Sequence, residues 1–319
     1  MKTKTALISP LNWGLGHASR CIPIINDLVQ DGFEVIIVGN GESLRFLQSN
    51  FPDLKSEKIA GLDINYSNID SAQTLKLGFQ ISKILKSIQS EKKDLKALIE
   101  KRQPELIVSD NRYGFYNSNV KSVIITHQIN PIFPALNKQF QRQIHLWLNC
   151  FDEVWVPDNE TINLSGTLSV VPESLKLKTN FIGIKSHLEP SEFSNEIERQ
   201  NDVLLILSGP EPQRSKLKTL VSKAVSGLKI IIVGESGSSR TVNSKKLIEL
   251  INDSKFIITR SGYSSIMDLF KIKERVIFIA TPGLTEQEYL AERLKTKLGY
   301  KVIAQSDINE KSLNKMLRL

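Results

Sequence analysis

The strongest constraint on the fold is an order of elements that occurs once in each half of the chain. In the first half, an apolar run at Thr5–Ser9 leads through a glycine-bearing turn into a helical segment, and a second apolar run then ends at Gly39. The same strand, turn, helix and strand order begins again at Val203. Short apolar runs that alternate with helices are typical of parallel sheets covered on both faces. The sequence therefore predicts an α/β protein with two doubly wound, Rossmann-like domains that face a cleft.

The boundary between the two domains is predicted from a loss of apolar periodicity. Between Ile184 and Asn201 the chain is polar and has no regular apolar spacing, which is typical of a connecting segment. We therefore expect an N-terminal domain at residues 1–183, a linker at 184–201 and a C-terminal domain at 202–319.

Composition narrows the range of function classes. The chain has 319 residues, of which 40% are hydrophobic and 24% charged, as in a soluble globular protein. Pro10 and Asn12 interrupt the first apolar run, which is too short for the apolar region expected of a secretory signal. Two cysteines are too few for a disulfide framework or a structural zinc site. These features predict a cytoplasmic protein. The net charge of +8 favours an anionic partner but does not choose among nucleic acid, lipid and phosphorylated sugars.

The segment that follows Thr259 is typical of an anion-binding turn. An apolar strand ends at Thr259, and the small residues of Arg260–Ser265 then begin a helix that runs to about Lys271. The start of a helix leaves amide groups without partners and carries partial positive charge, which suits a diphosphate. The candidate diphosphate ligands are Arg260, Ser261, Gly262, Tyr263 and Ser264.

Further candidate ligands follow this turn along the chain. Asp268, one helical turn further on, can accept two hydrogen bonds from the vicinal hydroxyls of a ribose. Gln287 and Glu288 follow the next apolar strand. Loops at the carboxyl ends of neighbouring parallel strands form a ligand crevice, so the segment predicts a nucleotide-binding site.

This order of residues resembles the donor-binding half of GT-B glycosyltransferases, in particular the N-acetylglucosaminyltransferase family of peptidoglycan synthesis. The likeness covers about 35 residues and includes Arg260-Ser-Gly262, Asp268 and Gln287-Glu288-Tyr, followed by Ala-Glu-Arg-Leu. In that family the Arg-x-Gly turn lies at the diphosphate, an acidic residue in the place of Asp268 holds the ribose, and a Gln-Gln pair contacts the sugar. The resemblance implies a UDP-sugar donor, with UDP-N-acetylglucosamine as one candidate. The family usually has Glu in the place of Asp268, so Asp268 has a shorter reach to the ribose. It usually has Gln in the place of Glu288, which leaves the identity of the sugar open.

The turn after the first strand holds the candidate catalytic base. Gly14 and Gly16 allow the backbone to approach a ligand closely, and His17 begins the helix predicted from about Ala18 to Gln30. A helix N-terminus lowers the pKa of an imidazole and so favours the neutral form that a general base needs. The glycosyltransferase relatives have a Gly-x-Gly-His turn here, and by that resemblance His17 is the base. A helix cap or an exposed histidine is the alternative.

The resemblance also implies an inverting transfer without a metal ion. A neutral His17 would take the proton of an acceptor hydroxyl as its oxygen attacks the anomeric carbon. The turn at Arg260–Ser265 would take up the charge of the departing diphosphate. The sequence has no Asp-x-Asp cluster to hold a divalent metal, and no cofactor besides the UDP-sugar co-substrate is expected.

Polar clusters after two other strands of the first half are candidates for acceptor binding, because an open parallel sheet keeps its site at consecutive strand ends. These candidates are Asp110, Asn111, Arg112 and Gln128. For the first three, capping of a loop is an equal alternative. His127 beside Gln128 is assigned no role.

In the second half, Ser208 and Gly209 match the family's glycine-rich loop over the diphosphate. Pro210 and Pro212 depart from that loop and remove two amide donors, for which Arg214 either compensates or is an ordinary surface residue. The remaining histidines, His145 and His187, have no motif around them and are expected to be structural or exposed.

A helical pattern from Leu77 to Arg102 carries seven Lys or Arg residues between Lys83 and Arg102. It predicts either a basic face for an anionic membrane surface or, as the more ordinary alternative, a solvated face. The first alternative would make the protein peripheral on the inner face of the plasma membrane. It would also suit a lipid-linked or envelope glycan as acceptor.

Other functions compete with glycosyl transfer. The stretch Gly14–Cys21 also resembles the Gly-x-Gly-His-x-x-Arg-Cys turn of the nucleotide-sugar hydrolases of nonulosonic acid synthesis, which share the fold and use water as acceptor. That likeness covers about eight residues, including Arg20 and Cys21. A nucleotide-sugar-binding partner protein without turnover is a third possibility.

Three ligand classes are disfavoured by the absence of their motifs. Ser19 stands where a dinucleotide fingerprint needs Gly, and the chain has no Gly-Lys-Ser/Thr phosphate loop. Nucleic acid is not expected as a partner, because the lysines are not interleaved with aromatic residues and no nucleic-acid motif occurs.

Overall fold

The computed structural model describes residues 4–59, 73–132, 137–188, 190–193, 198–209, 211–234 and 242–317, and for residues 73–84, 137 and 190 it describes the backbone alone. The chain divides into two compact units, Met1–Ser186 and His187–Leu319. The division falls inside the segment that composition assigned to the linker.

Unit 1 is a parallel sheet with helices packed on both faces. Its strands are β1 (Lys4–Pro10), β2 (Phe33–Gly39), β3 (Lys55–Lys58), β4 (Leu106–Asp110), β5 (Lys121–Ile125), β6 (Glu153–Val156) and β7 (Thr179–Phe181), and its helices are α1 (Leu15–Gln30), α2 (Gly41–Asn50), α3 (Gln73–Arg102) and α4 (Asn137–Leu148). The strand order is β3-β2-β1-β4-β5-β6-β7, and all neighbours are parallel. The strands β1 and β4 therefore lie side by side although β2 and β3 separate them in sequence.

Different helices cover the two faces of this sheet, which explains why β1 is apolar at consecutive positions. Ala6 and Ile8 pack in one cluster with Ile24 of α1, whereas Leu7 between them packs in another cluster with Leu95 of α3. Successive side chains of a strand point to opposite faces of the sheet. Because both faces are buried, β1 is an unbroken apolar run rather than an alternating one.

Unit 2 repeats this architecture on a smaller scale. Its strands are β8 (Asn201–Ile206), β9 (Ile230–Val233), β10 (Ser254–Arg260), β11 (Val276–Ile279) and β12 (Lys301–Val302), and its helices are α5 (Gln213–Ala224), α6 (Ser244–Asn252), α7 (Tyr263–Leu269), α8 (Thr285–Thr296) and α9 (Glu310–Leu317). The strand order is β12-β11-β10-β8-β9, again with parallel neighbours. The predicted α/β class with two Rossmann-like domains is confirmed.

Helices α1, α3 and α7 have other limits than the sequence predicted, and α3 begins at Gln73 instead of Leu77. The helix α1 begins at Leu15, so His17 lies inside its first turn. The helix α7 has seven residues and ends at Leu269, after which a 3-10 segment spans Phe270–Arg275. Among the helices in the described parts of the chain, none combines the length and apolar character needed to cross a membrane.

Candidate functional site

The first polar cluster forms where β1 and β4 end. The two strands pair so that Pro10 lies opposite Asp110, and the chain then turns into α1 through Gly14. Gly14 has a φ of 72°, a left-handed value that favours glycine. This turn brings the first turn of α1 next to the end of β4, and His17 Nδ1 lies 2.8 Å from Asp110 Oδ1.

Asp110 is buried and is held by an arginine from α1. The Nε of Arg20 donates to Asp110 Oδ2 at 2.5 Å, and its Nη2 donates to Asp110 Oδ1. The Arg20 side chain is 2% exposed and that of Asp110 is 0% exposed. Burial by itself raises the pKa of Asp110, but the charges and hydrogen bonds of Arg20 and His17 lower it to about 2. Asp110 is therefore a carboxylate at neutral pH.

His17 is the member of this cluster that reaches solvent, with 15% of its side chain exposed. Its Nδ1 is directed at Asp110, so its Nε2 is the nitrogen available to a substrate. A carboxylate held on one imidazole nitrogen fixes the orientation of the ring. This arrangement is chemically suited to proton abstraction by Nε2.

Three more polar residues surround the Asp110–Arg20 pair. The Nη1 of Arg20 lies 3.4 Å from Nδ1 of the buried His127, whose Nε2 lies 3.4 Å from Nε2 of Gln128. Cys21 Sγ lies 3.7 Å from Asp110 Oδ2, and burial, followed by the nearby carboxylate, raises the pKa of its thiol. Sequence reasoning gave no role to Arg20 or His127. The signal for Arg20 was its spacing of three residues from His17, which puts both on one helix face.

Of the two alternatives for Arg112, acceptor binding and a structural role in the loop, the structure favours the structural role. Its side chain is 1% exposed, and its Nε donates to Glu91 of α3 at 3.1 Å. Glu91 also accepts from the backbone amide of Gly114 at 3.1 Å. Arg112 therefore ties the loop after β4 to α3, while Asn111 next to it has a left-handed φ of 56°. Of the three predicted residues, Asp110 is the one that contacts His17.

The second polar cluster forms in unit 2, where β10 and β11 end side by side. Ser261 Oγ donates to the carbonyl of Gln287 at 2.8 Å, and Gln287 Oε1 accepts from the amide of Thr281 at 3.0 Å. The Nε2 of Gln287 would lie 3.8 Å from a Cβ added at Gly262. Glu288 caps the same loop by accepting from the amide of Gly283 at 2.8 Å. The structure thus brings the predicted residues of the two loops together.

Arg260 lies beneath this cluster and not on its surface, which corrects the expectation that its guanidinium meets a ligand directly. It is 0% exposed and donates to the carbonyls of Ala280 and Gln213 at 3.0 and 2.9 Å and to Gln305 Oε1 at 2.7 Å. Burial lowers its pKa to about 10, so it is still a cation at neutral pH. Within the described residues, no carboxylate forms an ion pair with it.

Asp268, the candidate ribose ligand, has a histidine partner. His187 Nδ1 lies 3.2 Å from Asp268 Oδ1, and the two side chains are 10% and 13% exposed. Burial by itself lowers the pKa of His187, but the charge and hydrogen bond of Asp268 raise it above its ordinary value. His187, which no motif singled out, therefore belongs to the candidate donor site. Long sequence separation explains why the pairing was missed.

The remaining candidates of unit 2 lie at the ends of β8 and β10. Gly209 has a φ of 88°, and Arg214 donates to its carbonyl from Nε and Nη2 at 3.0 and 2.7 Å and to the carbonyl of Gly234 at 3.2 Å. Arg214 thus holds the Ser208–Gly209 loop in place. Ser208 and Ser264 are half-buried, whereas Tyr263 is buried within α7. The described residues contain no group of three or more His, Cys, Asp or Glu side chains suited to a metal ion.

Comparison with protein-family models gives one match in each unit. The model described as Glycosyl transferase family 1 matches residues 11–140, which include His17 and Asp110. The model described as Glycosyltransferase family 28 C-terminal domain matches residues 229–319, which include Arg260 to Glu288. A search of curated protein sequences found no significant match.

Solved structures share the fold along almost the whole chain. The spinosyn rhamnosyltransferase SpnG is 15% identical with a TM-score of 0.66, and the alignment covers 99% of this chain and 92% of that enzyme. UGT89C1 of Arabidopsis thaliana, solved with UDP-L-rhamnose, is 12% identical with a TM-score of 0.63 over 99% and 90%. MurG of Acinetobacter baumannii is 11% identical with a TM-score of 0.56, also over 99% and 90%. At these identities the likeness concerns the fold.

Proposed function

Because this chain is a glycosyltransferase of the GT-B fold with a family 28-type C-terminal domain, we propose that it moves a sugar from a UDP-sugar to a hydroxyl group. The proposed reaction inverts the anomeric carbon and needs no metal ion. The proposed acceptor is a lipid-linked or envelope glycan. UDP-N-acetylglucosamine is the first donor to test.

The acceptor chemistry is assigned to unit 1. His17 Nε2 takes the proton of the acceptor hydroxyl while Asp110 on Nδ1 holds the ring and stabilises the imidazolium that forms. The acceptor oxygen bonds to the anomeric carbon, and the bond from that carbon to the diphosphate breaks. The electron pair of that bond leaves with UDP, so charge moves from the base toward the diphosphate.

The donor chemistry is assigned to unit 2. The seven-residue helix α7 supplies only a small dipole, so the formal charge of the buried Arg260 is the larger electrostatic effect on a diphosphate. The loop amides of Ser261 and Gly262 and the side chain of Gln287 are assigned to the diphosphate and sugar. Asp268 is assigned to the ribose.

The observation that carries this proposal is the buried Asp110 carboxylate that orients His17 in a chain with a family 28-type donor domain. The test is to incubate the protein with UDP-sugars and membrane or glycan extracts and to follow UDP release and sugar incorporation. His17→Gln serves as the matched variant. Incorporation that disappears in His17→Gln supports the proposal, and incorporation unaffected by this change contradicts it.

Hydrolysis of a nucleotide sugar is the second candidate function, favoured by one observation. Arg20 and Cys21, the residues that carry the hydrolase resemblance, both contact Asp110. Water in place of the acceptor hydroxyl would use the same base. Release of free sugar and UDP in equal amounts without any acceptor would support hydrolysis. Release of UDP that depends on an acceptor would support transfer.

Membrane association through α3 is part of the proposal. Lys86, Lys93 and Lys96 are exposed on this helix, whereas Lys101 and Arg102 form ion pairs with Glu57. Sedimentation with vesicles containing anionic lipid tests this point. Membrane association is supported if the protein binds anionic but not neutral vesicles and if the triple variant Lys86→Gln, Lys93→Gln, Lys96→Gln no longer binds. Equal binding to both vesicle types contradicts it.

A further inference from the structure

Arg20 lies between the two members of the proposed catalytic pair. Its Nη2 donates to Asp110 Oδ1 and lies 2.7 Å from His17 Nδ1, while its Nε donates to Asp110 Oδ2. Arginine and carboxylate that meet through two parallel hydrogen bonds hold each other in one plane. Since both side chains are buried, Oδ1 is held in a fixed position relative to the imidazole.

The charges of Asp110 and Arg20 cancel each other, so His17 is not needed to neutralise the carboxylate. Asp110 is an anion and Arg20 a cation, so the pair is neutral as a whole. An unbalanced carboxylate at 2.8 Å would favour the charged imidazolium strongly, because an opposite charge within about 4–6 Å shifts a pKa by roughly 1–3 units. Arg20, at 2.7 Å from the same nitrogen, opposes this shift. Asp110 can therefore orient His17 without leaving a net negative charge beside the imidazole.

The same contacts decide which imidazole nitrogen carries the proton. A carboxylate only accepts hydrogen bonds and a guanidinium only donates them, and His17 Nδ1 faces one of each. One N–H of Arg20 Nη2 is already directed at Asp110 Oδ1. The charged oxygen is the stronger partner for Nδ1, so the proton lies on Nδ1 and the lone pair on Nε2.

We infer that Arg20 is a positioning residue that holds the Asp110 carboxylate against His17 Nδ1 and lowers the proton affinity of the His17–Asp110 pair. This inference rests on the proposed role of His17 as the base. Titratable groups that contact Asp110 or Arg20 include His17, Cys21 and His127. Cys21 is a buried thiol, and its raised pKa keeps it neutral.

The test is an NMR titration of the imidazole nitrogens, with the His17 signals assigned by their loss in His17→Gln. In the unaltered protein we expect the proton of the uncharged His17 imidazole to lie on Nδ1. In Arg20→Gln the proton affinity of the pair should rise about tenfold or more, a shift of roughly one unit. Arg20→Lys should restore most of the original titration, and Arg45→Gln, an exposed arginine on α2, should leave it unchanged. An unchanged titration in folded Arg20→Gln would overturn the inference.

A charge-balanced pair of variants covers the case in which Arg20→Gln does not fold. Asp110→Asn alone leaves Arg20 unopposed and should lower the pKa of His17. Arg20→Gln combined with Asp110→Asn buries no charge and should return that pKa toward its value in the unaltered protein. Equal pKa values in these two variants would contradict the inference.

The titration also separates this inference from the proposed function, because it needs no substrate. If Arg20→Gln shifts the titration but the unaltered protein shows no transferase activity, the inference about Arg20 is retained and the proposed function is rejected. Where transfer is measurable, the acid limb of the pH profile of kcat/KM should move with the NMR titration in each variant.

Discussion

The two units each bury an arginine near the carboxyl ends of their parallel strands, but only unit 1 balances it with a carboxylate. Arg20 is paired with Asp110, whereas Arg260 has carbonyl and amide oxygens as its partners in the described residues. A balanced pair orients a neighbouring group without adding net charge. An unbalanced cation leaves a positive field at the loops above it. The same residue type therefore suits proton transfer in one unit and anion binding in the other.

The largest expected effect concerns the balanced cluster. His17→Gln should reduce transfer by roughly 10²- to 10⁴-fold, the usual contribution of a general base, because glutamine cannot take a proton at Nε2. Affinity for UDP should stay within about twofold, because His17 lies in the other unit from the nucleotide loops. Initial rates and calorimetric titration with UDP measure the two quantities. Equal losses of transfer rate and of UDP affinity would contradict the assignment of proton transfer to unit 1 and of nucleotide binding to unit 2.

The charge of Asp110 should make the stability of the protein depend on acid pH. Its pKa is about 2 in the folded state against an ordinary 3.8, so its contribution is present above the unfolded value and is lost as the pH falls toward 2. The difference corresponds to roughly 2 kcal/mol. Denaturant unfolding of the unaltered protein and of Asp110→Asn between pH 6 and 2 checks this. The difference in unfolding free energy between the two proteins should become smaller as the pH falls. A constant difference would contradict the lowered pKa of Asp110.

The unbalanced arginine should matter for phosphate binding. Arg260→Met should weaken binding of UDP by roughly tenfold, because a charged partner contributes about 1.5 kcal/mol or more, and it should change binding of uridine much less. Arg275→Met is the matched control, because Arg275 also donates to backbone carbonyl groups but is half-buried and precedes β11, whereas Arg260 is buried at the end of β10. Comparable losses for UDP and uridine in Arg260→Met would show a structural role instead of an electrostatic one.

The smallest expected effect concerns the His187–Asp268 pair. Because Asp268 raises the pKa of His187 above its ordinary value of 6.5, the pair stabilises the fold below pH 6.5 and this contribution is lost as the pH rises through the folded pKa. The stability difference between the unaltered protein and His187→Gln should therefore shrink from pH 6 to pH 8. Thermal unfolding at matched ionic strength measures it. A difference that grows over this range would show that the pair does not hold a proton in the folded state.

Local sequence patterns predicted the elements of both clusters better than the partners of their side chains. The chain turns at Gly14 before α1 and at Ser261 and Gly262 between β10 and α7, where the sequence predicted turns, although Gly16 already lies in α1. The pairing of His17 with Asp110, by contrast, spans 93 positions. It depends on β4 lying next to β1, and sequence periodicity identifies strands without giving their order.

Burial was the other property that sequence patterns did not give. Arg260 was expected to face a ligand, and for Arg112 the sequence left acceptor binding and capping of a loop as equal alternatives. Both are buried, because Glu91 reaches Arg112 from α3 and because carbonyls of two loops converge on Arg260. Whether a polar residue in a loop points outward depends on groups far away in the chain.

The sequence by itself determined the two parallel α/β units, the glycine turn before His17 and the donor-type loop between β10 and α7, because apolar periodicity and turn residues act over a few positions. Only the tertiary structure decided that Asp110 and Arg20 meet at His17, that Asp268 pairs with His187, and that Arg260 is a buried cation. Ion pairs and burial arise where strands and helices distant in sequence come within a few ångströms of one another. Their energies depend on that distance and on exclusion of water, neither of which a local pattern encodes.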